Sequence, residues 1–115
     1  MVIHIINTGN ELIDGRVCNT NGQWLCMQFK FNGYEVNKII CVSDKKSELS
    51  TAIHESIQEA DVVILTGGLG PTDDDRTSQC LADALGVTLS QNKEVANHLK
   101  ERFKDRKRPF SDIQL

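Results

Sequence analysis

Three glycines in four positions run straight into three consecutive aspartates: Gly67-Gly68-Leu69-Gly70-Pro71-Thr72-Asp73-Asp74-Asp75. A glycine-rich turn lets backbone N–H groups approach an anion closely, and a helix N-terminus behind the turn favours negative charge. The same glycines also serve a tight strand-to-helix turn that binds nothing. The aspartates admit two uses as well. Asp73 or Asp74 can cap a helix, and Thr72 with Asp75 can form a capping box. Three carboxylates beside an anion-binding turn, however, repel a phosphate unless a cation sits between them. Mg²⁺ takes one or two carboxylates plus phosphate oxygens, so a metal–phosphate ligand reconciles the glycines with the aspartates. The turn is not a P-loop, because no lysine or arginine precedes Arg76 within it. Nor is it G-x-G-x-x-G, because the order is G-G-L-G.

The residues before the turn say what carries it. Val62 to Leu65 are four consecutive aliphatics, the pattern of a strand covered on both faces of a parallel sheet. Ligands of such sheets sit at the carboxyl ends of the strands. Two more strands are expected. Val2 to Ile6, broken only by His4, runs into the turn-formers Asn7 to Glu11, and Tyr34 to Val42 runs into Ser43-Asp44. In a parallel sheet the three ends share one edge, so Glu11, Asp44 and Asp73 to Asp75 line one crevice. Asp44 either caps the next helix or belongs to that crevice.

Helices are expected between the strands. Asn19, Thr20 and Asn21 offer N-caps for a first helix, which ends at Gly33. On it Leu25 and Phe29 lie four apart, with Trp24, Met27 and Phe31 as an adjoining stripe, read as core rather than as a stacking platform. A second helix, Lys45 to Glu59, repeats Leu49, Ile53 and Ile57. A third carries Leu81, Ala82, Ala84 and Leu85 and stops at Gly86. Val87 to Leu89 is read as extended. Ser90 is the expected cap of a fourth helix with Val95, Leu99 and Phe103 on one face, ended by Pro109. Alternating strands and helices predict one α/β doubly wound domain over residues 1–115.

Composition limits the partners. A net charge of −3 gives no support to a general affinity for nucleic acid. The run Lys100 to Arg108 mixes Glu101 and Asp105 with its bases and reads as a solvated helix face. No apolar run reaches membrane-spanning length, and Met1 leads directly into a strand pattern rather than a signal peptide. Cys18, Cys26, Cys41 and Cys80 show no C-x-x-C pair, so reduced, partly buried thiols in a cytoplasmic protein are expected. His4, His54 and His98 fall on separate elements, and no Ser-His-Asp arrangement emerges.

Three motifs occur in order: Thr8-Gly9-Asn10-Glu11-Leu12-Ile13-Asp14-Gly15-Arg16-Val17 with Asn19-Thr20-Asn21, then Val42-Ser43-Asp44, then Thr66 through Thr77. Together they resemble the N-terminal domain of the CinA (competence-damage-inducible) family. The resemblance implies a three-layer α/β/α sandwich with a mostly parallel sheet, similar to the molybdopterin-binding MoaB/MogA proteins. It implies a small-molecule ligand, a nucleotide or pterin phosphate, held by Thr8, Gly9, Asn21, Thr66, Gly67, Gly68, Gly70, Thr72 and Thr77. Asp44 and Asp75 become the catalytic carboxylates, and Glu11, Asp74 and Asp75 the holders of a divalent metal, Mg²⁺ foremost. The implied activity is metal-dependent cleavage of a nucleotide pyrophosphate such as ADP-ribose. Binding or transfer of molybdopterin or its adenylylated form in molybdenum cofactor biosynthesis is the alternative, and a non-catalytic binding module is a third. The resemblance also implies homo-oligomers. It places a further strand, an N-x-x-G-x-A-P-G loop and a nicotinamide mononucleotide deamidase domain beyond Leu115. The domain is therefore expected to lack its last strand and loop.

Overall fold

A computed structural model of the chain describes residues 1–105. Its centre is the first strand, β1 (Ile3–Thr8), whose six residues are all buried. β2 (Lys38–Val42) and β3 (Val62–Thr66) flank it, both parallel to it, in the order β2-β1-β3. Ile5 lies opposite Ile39 on one side and Ile64 on the other.

Alternation along β1 sorts its side chains to two faces. On one face Ile6 packs with Leu49, Ala52 and Ile53 of α3 (Lys46–Glu59) and with Cys80 of α4 (Thr77–Leu85). His4, on the same face, is buried with its Nδ1 3.0 Å from Ser56 Oγ of α3, a structural histidine. On the other face Asn7 meets Asn19 and Gly22 at the start of α2 (Thr20–Phe31). Helices therefore cover both faces of a parallel sheet, the doubly wound arrangement expected from the strand–helix alternation and the α/β/α layering that the family resemblance implied. Asn19 caps α2 by accepting from the Gly22 N–H at 3.1 Å, and Gly86, in the left-handed region at φ 66°, stops α4.

The remaining differences have local causes. The turn-formers after β1 wind into a helical turn, α1 (Asn10–Ile13), closed by Leu12 N–H to Gly9 O and Asp14 N–H to Asn10 O. β2 starts at Lys38, not Tyr34, because the Tyr34 N–H turns back to Phe29 O and closes the end of α2. β3 lies at a sheet edge and is half-buried throughout, so the doubly covered position belongs to β1. Val87 to Leu89 joins no strand, and Val87 and Leu89 are exposed. The last helix, α5 (Lys93–Asp105), is capped by Asn92 rather than Ser90, its Oδ1 accepting from Val95 N–H at 3.0 Å. Ala96, not Val95, is the buried residue of its first turns. The α2 stripe is also corrected: Trp24, Met27 and Phe31 are exposed, while Leu25, Cys26 and Phe29 are half-buried. A twelve-residue helix over a narrow sheet buries one stripe, and Gly22 and Leu25 set its direction. Pro109 lies outside the described residues. Among those residues, no helix is long and apolar enough to cross a membrane.

Candidate functional site

The carboxyl ends of the strands do meet, and what joins them is a chain of polar side chains. Asn7, fully buried in β1, accepts from Asn19 Nδ2 at 2.8 Å and donates to Thr66 Oγ1 at the end of β3. The next residue, Thr8, donates through Oγ1 to the Ser43 carbonyl at 3.2 Å, with Asp44 Oδ1 3.4 Å away. The Gly9 N–H reaches Val42 O at 3.0 Å, and the Asp44 N–H reaches Asn10 Oδ1 at 3.0 Å. These bonds lock the loops after β1 and β2 together. Ser43 Oγ bonds Glu48 and also accepts from the Lys45 N–H, and Lys45 is the N-cap residue of α3. Asp44 is thus not used as the helix cap, and its carboxylate faces Thr8.

The glycine turn is fixed from the same side. Gly67 and Gly68 have φ of +86° and +62°, where a side chain is strained. A Cβ on Gly67 would run into the Thr8 carbonyl oxygen, and one on Gly68 into Thr77 Oγ1. Thr77, buried at the start of α4, donates its hydroxyl to Gly67 O at 2.8 Å and its N–H to Gly68 O at 3.2 Å. Gly70 instead borders the Asp75 carboxylate.

The aspartates divide. Asp75 Oδ2 accepts from both the N–H and the hydroxyl of Thr72, at 3.1 and 2.6 Å, and the Asp75 N–H returns to Thr72 O at 3.0 Å. Only the half of a capping box in which the Asp75 carboxylate accepts from the Thr72 N–H is present, because the Asp75 N–H goes to the Thr72 carbonyl rather than to its hydroxyl; α4 begins two residues later, at Thr77, and these bonds close a free-standing turn. The Thr72 hydroxyl, then its N–H, hold the Asp75 carboxyl below the usual carboxylate range, helped by Gly70 and opposed by partial burial. Asp73 and Asp74 are exposed and cap no helix. Arg76 Nε donates to the Asp73 carbonyl at 3.1 Å.

A crevice of about 130 Å³ lies between these loops, lined by Thr8, Glu11, Asn19, Thr20, Asn21, Thr66 and Gly67 among others. Of the expected site residues it brings together Thr8, Glu11, Asn21, Thr66 and Gly67; Asp44 adjoins through Thr8. Gly70, Thr72, Asp74 and Asp75 stand apart in the acidic turn. No group of three or more histidine, cysteine, aspartate and glutamate side chains comes together as a metal cage among the described residues. Cys18 is exposed on the crevice wall, Cys41 is exposed with its sulfur 3.3 Å from Asn19 Nδ2, Cys26 is half-buried and Cys80 is buried. Sequence reasoning missed Asn7. A polar residue closing an apolar strand reads as a turn-former, and its burial depends on two partners 12 and 59 residues away.

Residues 4–110 match the family described as a probable molybdopterin binding domain. The chain belongs to that family. A CinA-like protein of Anaeromyxobacter dehalogenans is 40% identical over 104 residues, covering 90% of this chain and 26% of the relative. The crystal structure of the protein CinA from Thermoplasma acidophilum superposes with a TM-score of 0.87 at 27% identity, over 99% of this chain and 66% of that one. The tungsten cofactor synthesizing protein MoaB from Pyrococcus furiosus shares the fold, with a TM-score of 0.66 at 21% identity over 90% of this chain and 63% of that one. The chain spans less than half the length of the curated relatives it matches.

Proposed function

We propose that the crevice binds the phosphate end of a nucleotide-like or pterin ligand and that, with a divalent cation, it hydrolyses a nucleotide pyrophosphate such as ADP-ribose. The observation that supports this reading is the rigid Gly67-Gly68 corner beside a small crevice with Glu11 on its wall. The crevice volume suits a phosphate group rather than a whole ligand, since pockets that enclose a drug-sized molecule start at about 300 Å³. The hydroxyls of Thr20 and Thr66 and the Asn21 amide are donors suited to phosphate oxygens, while the Thr8 hydroxyl is committed to the Ser43 carbonyl.

The carboxylates fit a cation shared with the substrate better than one caged by protein. Glu11 is the crevice carboxylate that would hold such a cation, and Mg²⁺ at nucleotide sites takes one or two carboxylates with the rest from substrate and water. A cation held there would supply Lewis-acid polarisation of the phosphoryl group. Asp44, held beside Thr8, is the carboxylate that accepts the proton from the attacking water. Asp75 keeps the acidic turn closed, and Asp74 extends from that turn as a further carboxylate. Water adds to one phosphorus, the P–O bond of the pyrophosphate breaks, and AMP and ribose 5-phosphate leave. The second reading is molybdopterin binding on the same crevice without hydrolysis, favoured by the family's description.

Incubation with ADP-ribose and Mg²⁺ or Mn²⁺, with chromatography of the products, tests both. Metal-dependent release of AMP that falls by roughly 100-fold or more in Glu11→Gln supports hydrolysis. Binding of the phosphate ligand by calorimetry without products supports the second reading. If neither ADP-ribose nor a simple phosphate ester binds, both readings fail.

A further inference from the structure

We infer that Trp24 is the floor on which the planar ring of the ligand stacks, so that the site runs from the phosphate crevice onto the outer face of α2. The inference rests on the reading of the crevice as a phosphate site. The chain has a single tryptophan, and 60% of it is exposed. Large aromatic side chains bury most of their surface unless something else is to cover them. A shallow depression of about 480 Å³ is lined by Thr20, Asn21, Gln23, Trp24 and Met27. Thr20 and Asn21 also line the crevice, so the two spaces share a rim. Trp24 lies three and four positions beyond that rim on α2, and helix spacing sets all three side chains on one side.

The crevice is too small for more than the phosphate end. A ligand that leaves it across Thr20 and Asn21 meets the indole next. The neighbours suit a heteroaromatic ring. Met27 offers a polarisable sulfur beside the stack, and the Asn21 and Gln23 amides offer donors and acceptors to ring nitrogens and exocyclic groups. Adenine and pterin rings share this chemistry. The same stripe, extended by exposed Phe31, is also of the kind that covers itself with a second copy of the chain, and the test separates that outcome.

The fluorescence of the sole tryptophan is titrated in the full chain with AMP, neopterin phosphate and ribose 5-phosphate, and each ligand's binding is measured in parallel by calorimetry. The expected result is quenching by a ring-bearing ligand, with AMP or neopterin phosphate identifying the ring, while ribose 5-phosphate binds without quenching. Trp24→Ala then weakens the quenching ligand by about 10-fold or more, leaves ribose 5-phosphate unchanged, and is partly rescued by Trp24→Phe. Binding of the ring-bearing ligands with unchanged emission, and with unaltered affinity in Trp24→Ala, overturns the inference while the crevice reading stands. Absence of binding by all three overturns both. Emission blue-shifted and insensitive to ligand, in a chain that sediments as a dimer and becomes monomeric in Trp24→Ala, overturns the inference in favour of a second copy.

Discussion

The glycine–aspartate run is continuous in sequence but consists of two regions held in different ways. Its first part, Gly67-Gly68, is wedged between Thr8 of β1 and Thr77 of α4, and its geometry is dictated from outside the loop. Its second part, Thr72 to Asp75, is closed by bonds between its own residues and faces solvent. A contact with two packed elements cannot be lost without moving one of them, whereas a self-closed turn opens at little cost to the rest. The first region is therefore the rigid wall of the site and the second its adjustable flank.

The sharpest way to break the contrast is Gly67→Ala. It combines a positive φ with a collision against a backbone carbonyl that cannot swing away. The expected loss is about 2–4 kcal/mol of stability, read from the denaturant midpoint, together with loss of phosphate-ligand binding. Asn7→Ala comes next. It leaves Asn19 and Thr66 without their buried partner, at about 2 kcal/mol, and loosens the rigid wall without touching a ligand.

Asp75 addresses the other region through pH. Its folded-state pKa is lowered, so its contribution is complete above the unfolded value of about 3.9 and is lost as pH falls through the lower folded value. The Thr72 amide and hydroxyl signals in an NMR titration should report that opening while the Gly67 and Thr77 amides stay unchanged, and Asp75→Asn should abolish the transition. If Gly67 titrates with Thr72, the two regions are one unit and the contrast is wrong. Asp73→Asn is the smallest change. An exposed carboxylate that caps nothing should alter stability by no more than about 0.5 kcal/mol in thermal unfolding.

Much of this was legible in sequence where the signal is local. Aliphatic runs located β1 and β3, and polar residues after each strand located the edge that carries the candidate site. Gly33 and Gly86 marked helix ends because a left-handed residue there needs no tertiary help. What was not legible depends on distant partners. The burial of Asn7 and the facing of Asp44 toward Thr8 arise only when β1, β2 and β3 align. Asp75 accepts from the Thr72 N–H as a capping box requires, but the Thr72 hydroxyl donates to Asp75 instead of capping, and the helix begins later, where Thr77 docks onto the glycines. Helical spacing showed that Trp24, Met27 and Phe31 form a stripe, but not which way the stripe faces. The side that packs on the sheet is the one carrying Gly22, Leu25, Cys26 and Phe29.

The central position of β1 also governs how the chain can fold. Its backbone pairs with β2 and β3 in registers that begin with His4 opposite Lys38 and Ile3 opposite Val62. Parallel pairing over such distances requires large loops to close before any ladder forms, which slows folding. During synthesis the apolar segment Ile3 to Ile6 is made well before Thr66, and until then it has nothing to cover its second edge. Of the three strands, the earliest in sequence is enclosed only once the latest is available, and an open strand edge is where association with other chains starts.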